Sequence, residues 1–300
     1  MQKAIVSGAS GFLGKYLVQA LQADSYDVQT IGRKKADYLC DLGTEIPHIL
    51  HAPRLVVHAA GKAHMIPRTP KEEQDFYTVN VQGTINLCRA FDKLEQWPAE
   101  FVFISTVAVY GREEGHQISE DCPLIGDTPY AKSKIAAEEF LTEWCSQHKV
   151  RLSILRLPLV AGATPPGNLG DMIKGIQHNR YFNIGGGKAQ KSIVLASDVA
   201  RYVATVAKTG GTYNLTDGQH PSFSELAATI ASQLGKKQPA NIPLWVAKCI
   251  AKLGDLLGAK APINSHKLNK ITSTLTFDDG KARKNFGWKP ASVIHSFTIN

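Results

Sequence analysis

Apolar residues in the first half of the chain follow two alternating rhythms: short unbroken runs, then spacings of three and four. Ala4 to Ser7, Val28 to Ile31, Leu55 to Ala60 and Phe101 to Ser105 are the short runs, and each predicts a strand. Phe101-Val102-Phe103-Ile104-Ser105 shows no in-and-out alternation, as expected of a strand covered by helices on both faces. Between the runs, Phe12, Leu13, Tyr16, Leu17 and Leu21 predict a helix from Phe12 to Ala23. Phe76, Val79, Asn80, Gly83, Leu87 and Phe91 predict one long helix over residues 72–95. Tyr130 to His148 reads as a helix and Leu152 to Leu155 as a further strand. A repeated β-α-β order predicts an α/β protein with a doubly wound parallel sheet and right-handed crossovers.

The pattern changes after residue 160. Residues 161–170, with two prolines and three glycines, read as a loop, and Gly185-Gly186-Gly187 marks another turn. Ser197 to Lys208 reads as a helix with Ser197 as its N-cap, and Thr212 to Leu215 as a strand. Ser222 or Ser224 opens a helix to Leu234 with Glu225 in its first turn. Trp245 to Leu257 forms an amphipathic helix, and a last segment runs from Phe277 to Phe286. The expected division is a dinucleotide-binding unit over residues 1–160, with segments near 192–216 returning to the main sheet. Residues 161–191 and 217–300 then form a smaller C-terminal α/β lobe for the substrate. Strands near residues 193 and 213 are both expected in the main sheet.

Composition narrows the class. The 300 residues, 43% hydrophobic and 20% charged, fit an ordinary soluble enzyme. The net charge of +8 comes from scattered residues, without interleaved aromatics, so a nucleic-acid partner is not expected. A basic surface would attract an anionic, phosphate-bearing substrate. Cys40, Cys88, Cys122, Cys145 and Cys249 are odd in number and form no C-x-x-C pair, so neither a disulfide framework nor a metal site is expected. Reduced thiols, no signal-peptide pattern and no bilayer-length apolar run predict a cytoplasmic protein.

Two motifs carry chemistry. Ser7-Gly8-Ala9-Ser10-Gly11-Phe12-Leu13-Gly14 lies between a strand and a helix. Glycines spaced three apart there permit a tight turn and let main-chain amides approach a pyrophosphate. Tyr130 and Lys134 are four apart on a helix and share a face. A lysine ammonium beside a phenol stabilises the phenolate, so the tyrosine can exchange a proton. One motif binds a dinucleotide and the other moves a proton, which implies oxidation or reduction. After the second strand the chain reads Ile31-Gly32-Arg33-Lys34-Lys35, with three cations where an NAD site places an acid. Arg33 and its neighbours suit the 2′-phosphate of NADP(H), which is the preferred cofactor, with NAD(H) possible. Asp41-Leu42 can face the adenine, although Asp41 suits a turn equally well.

These residues resemble the extended short-chain dehydrogenase/reductase family. The glycine pattern, His58-Ala59-Ala60-Gly61, Asn80-Val81-Gln82-Gly83-Thr84, Ser105-Thr106-Val107-Ala108-Val109-Tyr110-Gly111 and Tyr130-x-x-x-Lys134 match its motifs in order. The likeness covers residues 3 to about 160 well and the rest more loosely. It implies a Rossmann fold and a nucleotide-diphosphate sugar as substrate, with epimerases, 4,6-dehydratases and ketoreductases as the activities. By resemblance, Tyr130 is the acid/base, Lys134 its electrostatic partner and a ligand of the nicotinamide ribose, and Thr106 a hydrogen-bond donor to the reacting oxygen. The cofactor would lie against Gly8, Ser10, Gly11, Phe12, Leu13, Gly14, Arg33, Asp41, Leu42, Ala59, Ala60, Gly61, Ser105, Pro158, Leu159 and Val160. Asn168, Leu169 and Lys191 would hold the substrate diphosphate. Relatives dimerise through helices matching 72–95 and 130–148, so a homodimer is implied.

Departures from the family pattern refine the activity. Dehydratases carry an acidic pair after the catalytic threonine; Val107-Ala108 stand here, which argues against water elimination. Double inversion before reduction needs a further Cys and His; Cys122, His64 and His116 are present, but Cys122 reads as a loop residue. A 4-ketoreductase using NADPH and a 4-epimerase retaining NAD remain, and the cations after the second strand favour the reductase. Tyr213-Asn214-Leu215-x-Asp217-Gly218, Ile242-Pro243-Leu244 and the ending Asp278-x-x-Lys281-Ala282 through Phe286-Gly287-Trp288-Lys289-Pro290 resemble reductases of UDP-linked 4-keto-6-deoxy-N-acetyl sugars. A non-catalytic NADP-binding sensor is the contrasting class, and the intact Thr106, Tyr130 and Lys134 argue against it. Trp245, Val246, Ile250, Leu253, Leu256 and Leu257 with Lys248 and Lys252 are expected to pack on the substrate lobe, with contact to a membrane surface as the alternative.

Overall fold

A computed structural model of the chain describes residues 1–63, 65–257 and 264–299. The first half runs β1 (Gln2–Ser7), α1 (Phe12–Ala23), β2 (Tyr26–Gly32), β3 (Tyr38–Leu39), β4 (Leu55–His58), α2 (Pro70–Tyr77), α3 (Gly83–Phe91), β5 (Glu100–Thr106), β6 (Gly115–Ile118) and α4 (Pro129–Gln147). It continues with β7 (Arg151–Leu157), β8 (Leu159–Ala161), α5 (Gly167–Gln177), β9 (Asn183–Ile184), β10 (Ile193–Leu195), α6 (Ala196–Thr209) and β11 (Gly211–Asn214). The last elements are α7 (Phe223–Gln233), β12 (Asn241–Ile242), α8 (Leu244–Leu257), α9 (Ser265–Thr272), β13 (Leu275–Phe277), α10 (Gly280–Phe286) and α11 (Val293–Ser296).

Seven parallel strands form the main sheet in the order β11-β7-β5-β4-β1-β2-β3. Strand residues alternate between its two faces. Ala4, Val6, Leu55, Val57, Val102 and Leu155 join a core with Leu17, Leu21, Val199 and Val203 from α1 and α6. Ile5, Val56, Phe101, Phe103 and Ile154 join the opposite core with Leu87, Phe91, Leu141 and Trp144 from α3 and α4. Both faces are apolar because both are covered, which is why no alternation is visible in the sequence. The strand order reverses between β1 and β4, and in an open parallel sheet ligands bind outside the strand ends at such a point.

Several expectations change. Residues 72–95 do not form one regular helix: a π-helical turn, Thr78–Gln82, separates α2 from α3. Such turns displace the helix face by one residue and often bring a polar side chain inward; here it is Asn80, 1% exposed. Of the two strands expected to return to the main sheet, β11 pairs with β7, but β10 pairs with β8 in a separate two-stranded sheet. Helix α6 begins one residue before Ser197, and its N-cap is Leu195 without a side-chain bond. Ser222 and Glu225 do form a reciprocal capping box on α7. The loop expected over 161–170 already turns helical at Gly167.

Candidate active site

Local geometry around the glycines is dictated by close main-chain approach. Gly8 has φ +73°, and a Cβ there would lie 2.5 Å from the Ala60 nitrogen; one on Gly14 would lie 2.1 Å from the Gly8 carbonyl oxygen. Side chains at these positions would push apart the β1 turn, α1 and the strand-end segment after β4. Helix α1 opens at Gly11 with no side-chain cap, so the amides of its first turn are available to an anion. Such a cradle fits the pyrophosphate of a dinucleotide. Ser10 and Gly11 are exposed, and Phe12 and Leu13 half-buried.

Behind the cradle runs a chain of buried hydrogen bonds. The Ala60 N–H donates to Ser7 Oγ at 3.3 Å, and Ser7 Oγ lies 2.5 Å from His58 Nδ1. His58 Nε2 meets Thr84 Oγ1 at 2.9 Å, and Thr84 donates to the Asn80 carbonyl at 2.6 Å. Since the Thr84 hydroxyl proton is committed, Nε2–H donates and Nδ1 accepts from Ser7. Burial, helped by the Lys134 charge, lowers the His58 pKa to about 3, so the ring stays neutral and fixes the β4 end without adding charge. Asn80 carries the connection to α4: its Nδ2 donates to Ser133 Oγ at 2.9 Å and to the Lys62 carbonyl at 3.1 Å, and its Oδ1 accepts the Lys62 N–H at 2.7 Å.

The structure brings Thr106, Tyr130 and Lys134 together at the C-terminal end of β5 and the first turns of α4. Thr128 caps α4 by accepting from the Ala131 N–H, and Pro129 occupies the first helical position. The Tyr130 phenol is half-buried; burial raises its pKa and a hydrogen bond with the Thr106 side chain partly lowers it. Lys134 is 5% exposed, donates from Nζ to the Ile104 carbonyl at 2.8 Å and lies 4.4 Å over the Phe103 ring. Burial lowers its pKa to about 8, with Glu138 acting in the opposite sense. The expectation that Lys134 pulls down the phenol therefore needs correction. The ammonium is turned to the β5 main chain, and burial dominates the electrostatics of Tyr130.

Sequence reasoning missed the support beneath this site. Ser105 donates from Oγ to Glu138 Oε1, and Glu138 accepts three bonds from Arg156, the shortest 2.7 Å. Arg156 also donates to the Tyr110 hydroxyl at 3.0 Å, which donates to Asn214 Oδ1 at 2.7 Å; the Asn214 N–H reaches Glu120 at 2.8 Å. The only sequence signal was an acid one helical turn beyond Lys134. A second missed residue is Asp37. Its Oδ2 accepts from the Thr30 N–H at 2.8 Å and from Thr30 Oγ1 at 2.7 Å, which holds its pKa low. Asp41 behaves as a turn residue: its Oδ1 accepts from the Gly43 N–H at 3.0 Å, while Leu42 is buried and its carbonyl takes a bond from Asn86.

Other expected residues fall into place unevenly. Ser105 is buried, Ala59, Ala60, Pro158, Leu159 and Val160 half-buried, and Gly61 exposed; a Cβ on Gly61 would lie 3.4 Å from Lys134 Nζ. Asn168 is exposed in the first turn of α5, but the Leu169 side chain belongs to the core with Met172, Ile193 and Leu226, so only its main chain is open to a ligand. Lys191 is half-buried, and burial together with Lys270 lowers its pKa to about 8. Cys122 packs against the Val109, Tyr110 and Phe277 cluster, and with His116 it lines a surface cavity of about 490 Å³ to which none of Thr106, Tyr130 and Lys134 contributes. His64, the other histidine weighed for that role, lies outside the described residues. Among the described residues no cluster suited to a metal ion occurs.

A parallel sheet with a glycine turn at its switch point, and a Thr, Tyr and Lys set beside it, is the arrangement of a nicotinamide-dependent enzyme. Comparison with known proteins narrows this. The chain belongs to the NAD dependent epimerase/dehydratase family, whose model matches residues 4–216. It is therefore an NAD(P)-dependent enzyme of the group of nucleotide-sugar epimerases, dehydratases and reductases. It is 26% identical to the N-acetyl-alpha-D-glucosaminyl-diphospho-ditrans,octacis-undecaprenol 4-epimerase of Escherichia coli O157:H7, over 94% of this chain and 88% of that protein. It is 28% identical to the GDP-6-deoxy-D-mannose reductase of Pseudomonas aeruginosa, over 77% of this chain and 79% of that protein. Among solved structures, a UDP-glucuronic acid 4-epimerase from Bacillus cereus in complex with NAD superposes with a TM-score of 0.73 at 20% identity, covering 97% and 92% of the two chains. RMD from Pseudomonas aeruginosa, complexed with NADPH, gives 0.70 at 21% identity, covering 98% and 95%.

Proposed function

We propose that this enzyme uses NADPH to reduce the 4-keto group of a nucleotide-diphosphate 4-keto-6-deoxy (N-acetyl) sugar. The observation that carries the cofactor choice is the end of β2. Arg33, Lys34 and Lys35 are exposed, while Asp37, the first acid after the strand, is committed to Thr30. Among the described residues, the first carboxylate past the C-terminal end of β2 is thus not open to ribose hydroxyls, and the cations suit a 2′-phosphate. Ser10, Phe12, Leu13 and the glycines would hold the pyrophosphate, Asp41 and Leu42 the adenine side, and Ala59, Ala60, Gly61, Ser105, Pro158 and Val160 the nicotinamide side.

The bound nicotinamide supplies a hydride, which the side chains cannot. The chain's own residues handle the oxygen. Burial holds the Tyr130 phenol in its protonated form at neutral pH, which is the form a reduction needs as proton donor. Thr106 would hydrogen-bond the same ketone oxygen, and Lys134, held by the Ile104 carbonyl, would meet the nicotinamide ribose. Asn168, the main-chain amide of Leu169 and Lys191 would meet the diphosphate. We further assign residues 1–160 with 192–216 to the cofactor unit and 161–191 with 217–300 to the substrate lobe. A homodimer would form through α2, α3 and α4.

A 4-epimerase is the second reading, supported by the near full-length likeness to the Escherichia coli enzyme named above. Identifying the nucleotide released on denaturing the purified protein separates the two. The reductase is expected to release little and to take up NADPH in titration. Stoichiometric, tightly held NAD would favour the epimerase.

A further inference from the structure

Helix α8 packs with the wrong side for an ordinary amphipathic helix. Ala247, Ala251 and Gly254 are its buried residues, and small Ala247 and Ala251 meet Leu268 of α9 in a minor core. The large apolar residues point outward: Trp245 is 71% exposed, Leu253 66% and Leu256 84%, with Ile250 beside them. At 100° per residue, Trp245, Leu256, Cys249, Leu253 and Ile250 follow one another round a single arc, opposite the buried alanines. Packing on the substrate lobe therefore does not account for the apolar residues of this helix, contrary to expectation.

Charge borders the arc on one side. Lys248 and Lys252 are exposed next to Trp245 on the helical wheel, and neither enters an ion pair among the described residues. Asp255 is the helix's acid, and its carboxylate is taken by the start of α9, accepting from the Ser265 N–H at 2.9 Å and from Ser265 Oγ at 2.6 Å. What faces outward is a Trp/Leu/Ile surface edged with uncompensated lysines, on a chain of net charge +8. Apolar side chains with a tryptophan at one end and lysines on the flank are the composition of a helix lying in the interface of a negatively charged bilayer.

We infer that the outward face of α8 docks this enzyme on an anionic lipid bilayer. No described helix is long and apolar enough to cross a membrane, so the attachment is peripheral. The start of α8 adjoins the turn before the proposed diphosphate ligand Lys191: Leu244 packs beside Gly185. Docking itself does not depend on which sugar carrier the cleft accepts.

The test is flotation of the full chain with phosphatidylglycerol/phosphatidylethanolamine vesicles and with phosphatidylcholine vesicles, at low and high salt. The wild type should float with the anionic vesicles at low salt and lose at least about tenfold of that binding on neutral vesicles or in high salt. The variant Trp245→Ser/Leu253→Ser/Leu256→Ser should lose about tenfold or more on anionic vesicles. Lys248→Glu/Lys252→Glu should abolish the preference for anionic lipid, and it decides the matter if the triple variant fails to fold. The inference is overturned if the wild type stays unbound on anionic vesicles, or if the variants float equally well. It is also overturned if the wild type forms a dimer that the triple variant dissolves while neither floats, which would make α8 a contact between copies.

Discussion

Replacing Lys134 with methionine should stabilise the protein while removing turnover. The lysine is 5% exposed, and burial lowers its pKa from 10.5 to about 8. Below pH 8 the folded state holds an ammonium it disfavours, at a cost of about 3 kcal/mol from 1.36 kcal/mol per pKa unit. Methionine removes that cost and keeps the packing, but it strips the Ile104 carbonyl of its 2.8 Å donor and the Phe103 ring of its cation. Those losses take back roughly 1–2 kcal/mol. A net gain of about 1–2 kcal/mol is left, or about 2–3 °C in Tm for a chain of this size. The pH dependence gives the sharper check. Between pH 8 and pH 10.5 the unfolded lysine still binds a proton that the folded one has lost, so wild-type stability rises through that window. The advantage of Lys134→Met should be full at pH 7 and vanish, or reverse, by about pH 10. Calorimetry of the cofactor-free proteins at both pH values measures it. A variant less stable than wild type at pH 7, or a difference independent of pH, would show that burial does not govern this lysine.

Three further outcomes follow from the site. Tyr130→Phe should lower kcat by roughly 10²–10⁴ while NADPH affinity, measured by fluorescence titration, stays nearly constant; wild-type turnover would place the proton donor elsewhere. Arg33→Asp should shift the kcat/KM preference from NADPH toward NADH, and an unchanged ratio would remove Arg33 from the cofactor. Lys191→Ala should raise the KM for the sugar substrate by roughly tenfold, as expected for loss of a charge-assisted contact, and leave that for NADPH unchanged. The opposite pattern would put Lys191 at the cofactor.

What the sequence made legible was local. Gly8, Gly11 and Gly14 sit within one turn, and Tyr130 and Lys134 within one helical turn, so spacing alone brought them together. The apolar runs located the sheet because each strand is covered on both faces. What stayed hidden depends on distant neighbours. Arg156 reaches Glu138 only because β7 pairs with β5 beneath α4, with Arg156 opposite Ser105. The π-helical turn that buries Asn80 leaves the apolar spacing of residues 76–91 almost intact, so one helix was expected where two occur. Strand β10 looked like any buried run, and nothing in it names β8 as its partner. Asp37 turned back to Thr30 across the Arg33-Lys34-Lys35 loop, a contact that no spacing signals, and α8 hid its inverted packing because a helical wheel shows which face is apolar but not which face is buried.

If this site reduces a ketone with NADPH, the two halves of the reaction must run in step. The purified protein is mixed with a UDP- or dTDP-linked 4-keto-6-deoxy sugar and limiting NADPH, with nucleotide absorbance followed in time and the sugar product identified by NMR. One NADPH should be lost for each ketone converted to a hydroxyl, more slowly with NADH, and at a rate lowered by roughly 10²–10⁴ in Tyr130→Phe. An unchanged ketone with no loss of NADPH, together with interconversion of 4-hydroxyl epimers when a UDP-linked 4-hydroxy sugar is offered instead, would rule the reductase out.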